Sequence, residues 1–295
     1  MKNTVKTLYY FLNQNTRLKK YKLKIVFVFH TEYIFNTTLF NQLIGFCRRY
    51  NEITGQKVIN TIMSGVNPRI SMGIKNSEIN NKIFADRVKY LEEISTIGYH
   101  GHYHIDLNQY MRFENEIHCS NYLHSAVLKQ LDNDLEWFDK NSISHNGIYA
   151  PGWYFMNDSL MKLLIKKGFV SDYSFSQSKW FSNTWTDLFF KETKIEAGEL
   201  FKLKYNNQTI NCTQALIGCH NTPFVQDFER NLLNLIKDNK SNHVYGCVSI
   251  HDDDININYT LNCIEKMIKK WDCEFISHHQ MQANFDNENL KVIPF

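Results

Sequence analysis

The sequence has few of the features that mark disulfide-rich, membrane-spanning or nucleic-acid-binding proteins. Its seven cysteines are odd in number and none belongs to a C-x-x-C pair, so neither a disulfide framework nor a thiolate zinc site is indicated. The 33 basic and 30 acidic residues leave a formal net charge of +3, which is too weak to predict binding to nucleic acid. No stretch reaches the roughly 18 apolar residues that a transmembrane helix needs.

The sequence also has no proline- or glycine-rich stretch of the kind that links domains. The 4 prolines and 12 glycines are scattered along 295 residues, and we find no repeat and no low-complexity tract. A hydrophobic content of 43% is sufficient for one large core. We therefore expect a single domain over residues 1–295, with an N-terminal extension over 1–23 and an insertion over 176–224.

The first residues show no export signal, because their apolar run is short and no small-residue cleavage site follows it. A reducing compartment agrees with the cysteine usage, so we expect a cytoplasmic protein. The basic and aromatic start, with Tyr9, Tyr10 and Phe11 followed by five basic residues over 17–24, has two interpretations. It is either a solvated helix or a surface that makes peripheral contact with an anionic membrane.

Strand-like and helix-like segments alternate along the chain. Residues 24–29 form a short apolar run rich in β-branched and aromatic side chains, which is typical of a strand buried on both faces of a parallel sheet. The alternation predicts an α/β fold, a distorted (β/α) barrel with about seven parallel strands. A β-hairpin is expected over 201–210, turning at Asn206 and Asn207. Further strands are predicted at 58–63, 98–102, 147–150, 169–173, 244–250 and 273–276, and helices at 39–50, 79–97, 116–139, 160–167, 225–238 and 259–271.

Polar side chains gather just after four of these predicted strands. In α/β folds of this kind the loops after the strands converge at one end of the sheet and build the functional site. Four stretches are therefore predicted to meet, namely His30-Thr-Glu32, His100 to His104, Tyr149-Ala-Pro-Gly-Trp153 and His251-Asp-Asp-Asp254.

His100 and His104 are four residues apart and lie on one face if the strand gives way to a helical turn. Two neutral imidazoles and a carboxylate, for which Glu32 is the candidate, suit Zn²⁺ or another divalent metal. Two histidines at this spacing are equally compatible with a packed strand end. His102 is expected to point away from that face, with a packing role or a contact to a metal ligand.

These stretches carry a resemblance to a known family. The segment Ile97-Gly-Tyr-His-Gly-His-Tyr-His-Ile-Asp-Leu107 resembles the second motif of the polysaccharide deacetylase family (NodB-like carbohydrate esterases), Gly-x-His-(Ser/Thr)-x-x-His-Pro-Asp-Leu. His100 and His104 match its two metal histidines. Phe27-Val-Phe-His-Thr-Glu32 is similar to the first motif, a strand ending in Phe-Asp-Asp or Phe-Asp-Val-Glu.

Two later motifs extend the resemblance over residues 24–277 in the family's order. Tyr149-Ala-Pro-Gly-Trp-Tyr-Phe155, followed by Gly168-Phe-Val-Ser-Asp172, resembles Arg-x-Pro-x-x with its trailing Gly-Phe-x-x-Asp. Val248-Ser-Ile-His251 is similar to Leu-x-Leu-His. Two positions depart from the pattern: His30 stands where the family has its catalytic aspartate, and Tyr149 replaces the arginine that holds that aspartate.

The resemblance implies hydrolysis of an N-acyl group on a sugar by a divalent metal, with zinc, nickel, cobalt and manganese as candidates. It implies Glu32, His100 and His104 as metal ligands. His251 would protonate the leaving amine, and the backbone N–H near Gly152 would donate to the oxyanion. His30 is expected to take the proton of water; the alternative is Glu32 as base, with Asp252 or another group on the metal.

Substrate contacts are expected from Tyr149, Trp153 and Asp252. The predicted substrate is a sugar, acetylated or formylated on nitrogen, in a nucleotide- or lipid-linked precursor of a surface polysaccharide. Two alternatives stay open at this point. One is a non-catalytic carbohydrate-binding relative that kept the fold, and the other is a metal-dependent hydrolase of a cyclic amide.

Overall fold

The computed structural model describes residues 19–104, 125–152, 156–177, 184–219, 228–253, 256–287 and 290–294. Its centre is a curled, mostly parallel sheet of eleven strands, in the order β11-β6-β7-β5-β4-β3-β2-β1-β9-β8, with β10 paired to β1. The strands are β1 Lys22–Thr31, β2 Ile59–Ile62, β3 Thr96–Gly101, β4 Ile148–Pro151, β5 Ser171–Asp172, β6 Phe201–Tyr205, β7 Gln208–Cys212, β8 Ala215–Cys219, β9 His243–His251, β10 Asp272–Phe275 and β11 Lys291–Pro294.

Helices connect these strands, and most of them cover the outside of the sheet. They are α1 Thr37–Thr54, α2 Pro68–Lys75, α3 Asn81–Ile94, α4 Ser125–Lys140, α5 Asp158–Lys166, α6 Thr184–Thr193, α7 Phe228–Ile236, α8 Ile257–Lys270 and α9 His278–Asn287. In the part of the chain that the structure describes, no helix combines the length and apolar character needed to cross a bilayer.

The predicted α/β fold class is confirmed, and the sheet forms a half-barrel. Its end strands, β11 and β8, are not paired with each other within the described ranges. The strand count is higher than the predicted seven because short strands extend both ends of the sheet. β6 and β7 form the predicted antiparallel hairpin, in which Tyr205 pairs with Gln208 and Asn206 has a φ of 54°.

Strand β1 lies in the middle of the sheet, and its two faces contribute to different parts of the molecule. Its odd-numbered residues, such as Phe27 and Phe29, belong to the large core under the helices. Val26 and Val28 face the interior of the curled sheet instead, where they pack in a second, smaller cluster. Because side chains alternate along a strand, His30 continues the interior face at the carboxyl end of β1.

The opposite end of the interior is filled by α9. Met281 and Phe285 of this helix are buried in the same cluster as Val26 and Val28. Nζ of Lys24, near the start of β1, donates to Oδ1 of Asn284 at 2.9 Å. The helix therefore closes the amino end of the half-barrel with apolar side chains and leaves the carboxyl end to polar ones.

Candidate metal centre

Strand pairing brings three of the four predicted polar stretches together. β1 and β9 are parallel, with His30 opposite His251, and β3 and β4 are parallel, with His100 opposite Ala150. β2 joins the two pairs, since it lies between β1 and β3. The carboxyl ends of β1, β3 and β9 therefore project their last side chains into one buried space.

Glu32 is the centre of this cluster. Its Oε1 atom lies 3.3 Å from Nε2 of His100, 3.0 Å from Nε2 of His102 and 3.5 Å from Nδ1 of His251. Burial acts to raise the pKa of Glu32, but the charge of the neighbouring His102 and the hydrogen bonds of His100 and His102 together outweigh it and hold the pKa well below its usual value. The carboxyl group is therefore ionised and placed to bind a cation.

The rings of His100 and His102 complete the group of candidate ligands. Their Nε2 atoms are 3.0 Å apart, and both rings are buried. Nδ1–H of His100 donates a hydrogen bond to the carbonyl oxygen of Ala150 at 2.7 Å, so in the neutral ring Nε2 carries the lone pair and faces Glu32. Burial lowers the pKa of His100, so the imidazole is neutral, as a metal ligand must be.

These three ligand atoms fit a divalent cation. They are the described His, Cys, Asp and Glu groups whose ligand atoms lie close enough together to share one ion. Ligands about 2.0–2.1 Å from a tetrahedral zinc ion lie about 3.3 Å from each other. The observed separations of 3.0, 3.0 and 3.3 Å match one face of such a tetrahedron.

His104 is not part of this group within the described residues. Its backbone N–H donates to Oε1 of Gln130 at 3.1 Å, and the Gln130 amide donates to the His104 carbonyl at 2.7 Å. Nδ1 of its ring also lies 3.4 Å from the same Oε1 atom. The structure thus gives the third candidate position to His102, whereas the sequence suggested that this ring points away from the site. Residues two apart lie on the same face of an extended chain, which accounts for His100 and His102 both facing Glu32.

His30 and His251 lie beside the three candidate ligands. The ring centroid of His30 is 4.6 Å from that of His100 and 5.4 Å from that of His251. Burial, followed by the charge of His100, lowers the pKa of His30 well below its usual value. The side chain of His251 is 17% exposed, whereas Glu32 and His100 are fully buried, so His251 is the member of the cluster closest to solvent.

Gly152 contacts the site through the ring of His102. A Cβ atom placed on Gly152 would lie 2.2 Å from Nε2 of His102, so only glycine leaves room for this imidazole. Tyr149, by contrast, lies on the helix-facing side of β4. Its fully buried ring packs near Tyr99 and Phe169, and its hydroxyl lies 3.3 Å from that of Tyr103. Among the described residues Tyr149 therefore has packing contacts, whereas the sequence suggested a substrate contact.

Asp252 holds the backbone that carries Glu32. Its two carboxyl oxygens accept hydrogen bonds from the backbone N–H groups of Glu32 and Tyr33, at 2.9 and 2.8 Å. Burial raises the pKa of Asp252 to about 8, while these two donors act in the opposite direction. The residue positions a candidate ligand, whereas the sequence suggested a substrate contact. Trp153 and the basic start of the chain up to Arg17 lie outside the described residues.

Two residues at the start of α2 were missed by sequence reasoning. Nη2 of Arg69 lies 2.6 Å from Oε2 of Glu32, and Nδ2 of Asn67 donates to the carbonyl oxygen of His102 at 3.1 Å. Both residues follow a parallel strand, so the rule that selected the other four stretches applies to them as well. They were not singled out from the sequence, because neither an asparagine nor an arginine after a short strand is by itself a chemical signal.

No protein-family model and no curated protein sequence matches this chain. Solved structures that share its fold include the following two. One, described as "putative polysaccharide deacetylase from Mycobacterium smegmatis", has 11% sequence identity and a TM-score of 0.58, with 94% of each chain covered. The other is a 4-alpha-glucanotransferase from Thermococcus litoralis, with 10% identity and a TM-score of 0.53, covering 92% of this chain and 42% of that one. At these identities the likeness shows a fold-level relationship.

Proposed function

We propose that the protein is a hydrolase that uses a divalent metal ion, with zinc as the first candidate, to remove an acetyl or formyl group from the nitrogen of a sugar. One observation carries the proposal: a carboxylate oxygen and two imidazole nitrogens, all buried, lie 3.0–3.3 Å from one another at the carboxyl end of a parallel sheet. Glu32, His100 and His102 would hold the ion, a set that differs from the motif-based one by a single histidine.

When bound, the ion supplies Lewis-acid chemistry, which activates water and polarises the amide carbonyl. The side chains around it supply the proton transfers. We propose that His251 gives a proton to the leaving amine, since it is the partly exposed imidazole of the cluster. His30, whose ring lies near those of His100 and His251, is the proposed acceptor of a proton from water. The backbone at Gly152, which touches His102, keeps its proposed role as an oxyanion donor.

Support for a sugar substrate comes from the fold. The two solved structures carry the names of carbohydrate-active enzymes, and the motif resemblance points to an N-acylated sugar. A nucleotide- or lipid-linked precursor of a surface polysaccharide is the proposed substrate. A cytoplasmic location belongs to the same proposal. It is supported by the free thiols of Cys47, Cys212, Cys247 and Cys273.

The test begins with metal analysis of the purified protein after dialysis against Zn²⁺ or Co²⁺. The loaded protein is then incubated with nucleotide-linked N-acetyl and N-formyl sugars, and mass spectrometry measures the loss of one acyl group. We expect one metal ion per chain and turnover of at least one sugar, with His251→Ala retaining the metal and losing turnover. A protein that takes up no metal, or a loaded protein that is inactive on the whole panel, contradicts the proposal.

A further inference from the structure

The two oxygens of the Glu32 carboxylate face different partners. Oε1 faces the imidazoles of His100, His102 and His251, at 3.0–3.5 Å. Oε2 faces Nη2 of Arg69 at 2.6 Å. A carboxylate near a metal can offer one oxygen or both, and the choice changes how many coordination positions remain for water and substrate. In this site the second oxygen is already engaged by a permanent positive charge.

Arg69 is held in place by the start of helix α2. Its backbone N–H donates to Oδ1 of Asn67 at 3.1 Å, while Nδ2 of the same asparagine donates to the carbonyl oxygen of His102 at 3.1 Å. Nη2 of Arg69 also lies 3.5 Å from the hydroxyl of Tyr33. The segment that carries Arg69 is therefore tied to two candidate ligands, through the side chain of Glu32 and the backbone of His102.

Burial makes this ion pair more than a surface contact. The Glu32 side chain is fully buried and that of Arg69 is 33% exposed, so water screens the pair much less than it screens an exposed one. The Asp252 carboxylate fixes the backbone of Glu32 from the other side. Glu32 is thus fixed at both ends, and the orientation of its carboxylate is set before any ion binds.

We propose that Arg69 is a positioning residue that reserves Oε2 of Glu32, so that the carboxylate presents only Oε1 to the cation and a coordination position stays open for the reacting groups. The inference rests on the proposed metal site of Glu32, His100 and His102. It assigns a function to a residue that no motif in the sequence marks.

The experiment uses Co²⁺ as the probe, because Co²⁺ absorbs visible light strongly when four-coordinate and weakly when six-coordinate. In Arg69→Ala, Oε2 is released and can reach the ion, so we expect a weaker visible band than in the wild type. Turnover of the loaded variant should fall about ten- to a hundredfold, as is usual when a partner of a metal ligand is lost. Arg69→Lys, which keeps the charge and a donor, should restore much of the band.

Arg87→Ala is the matched control. Arg87 donates to the carbonyl oxygens of Ile34 and Phe35 in the loop that follows Glu32, so its loss should lower the melting temperature and leave the Co²⁺ band unchanged. Bound Co²⁺ with the wild-type band in both Arg69→Ala and Arg69→Gln would overturn the role of Arg69 alone. A wild-type protein that binds no Co²⁺ would instead overturn the metal site itself.

Discussion

The two ends of the half-barrel interior are built by the same strands and differ sharply in chemistry. At the amino end, Val26 and Val28 pack with Met281 and Phe285 of α9. Two residues beyond Val28, the same face of β1 carries His30 and leads to Glu32. The change from core to site therefore needs no separate domain or insertion, because one strand contributes to both.

The polar groups at the two ends show what distinguishes a functional cluster from a structural one. At the amino end, the hydroxyl of Tyr173 and Nδ1 of His278 lie 2.9 Å apart and form one partly buried hydrogen bond. At the carboxyl end, the carboxylate of Glu32 has three imidazoles and a guanidinium around it. Folding alone does not require such an excess of partners for one buried charge, which points to a ligand.

The largest expected effect is a loss of metal binding when a candidate ligand at the carboxyl end of the half-barrel is removed. His100→Ala or His102→Ala should lower the affinity for Zn²⁺ by more than about a hundredfold, because each removes a ligand rather than a ligand's partner. Isothermal titration with Zn²⁺ measures this. His104→Ala is the control and should keep the wild-type affinity. A loss in His104→Ala with none in His102→Ala would return the third ligand position to the histidine that the motif suggests.

A substitution at the apolar, amino end of the half-barrel should change stability and leave metal binding unchanged. Phe285→Ala removes a buried ring from the amino end of the interior and should lower the free energy of unfolding by about 3–5 kcal/mol. Its Zn²⁺ affinity at a temperature where the variant is folded should equal that of the wild type. Urea denaturation and metal titration check the two parts, and a large change in metal affinity would show that the two ends are coupled.

The pH dependence of stability tests a buried acid behind the site. The carboxyl group of Asp134 accepts a hydrogen bond from Tyr99 at 2.8 Å and contacts the Ser64 hydroxyl. Burial raises its pKa from 3.8 to about 6. Between these values the unfolded chain has lost the proton that the folded chain retains. The contribution of Asp134 to stability is therefore complete below pH 3.8, and about 3 kcal/mol of it is lost as the pH rises through 6. In Asp134→Asn, the free energy of unfolding should lack this decrease with pH, which denaturation curves measured at several pH values across that range would test.

The smallest expected effect concerns the close approach of Gly152 to His102. Gly152→Ala should push the imidazole out of line and lower Zn²⁺ affinity about ten- to a hundredfold, or about 1.4–2.7 kcal/mol. Gly45→Ala is a suitable control, since a Cβ atom at Gly45 meets nothing within 4 Å. Equal Zn²⁺ affinities in the two variants would mean that the site tolerates a shift of His102.

Much of the fold follows from local patterns that the sequence displays. The apolar run of β1 and the hairpin at Asn206 are both present, because a buried strand and a tight turn depend on neighbouring residues. The helix predicted over 160–167 is present as α5, which begins after its cap Asn157 and is followed by Gly168 at a φ of 83°. Helix α2 was not predicted, since its eight residues are too few to show a clear helical period. The single-domain organisation stays a prediction.

The candidate site was less predictable than the fold. The locations of His30, Glu32, His100 and His251 followed from the rule that strand ends converge, and strand pairing brings them together. The choice between His102 and His104 depends on how the chain turns after β3, which spacing alone does not determine. Arg69 reaches Glu32 only through the path of the segment after β2, and no local pattern encodes that long-range contact.

The central position of β1 has a consequence for how this chain can change. β1 pairs with β2, β9 and β10, so its register is fixed along both edges. A shift of the whole strand by one residue would turn the imidazole of His30 toward the helices. The same shift would turn Phe27 and Phe29 toward the interior. Insertions and deletions should therefore be tolerated in the loops and rejected in this strand, since core packing and ligand geometry both depend on the register of β1.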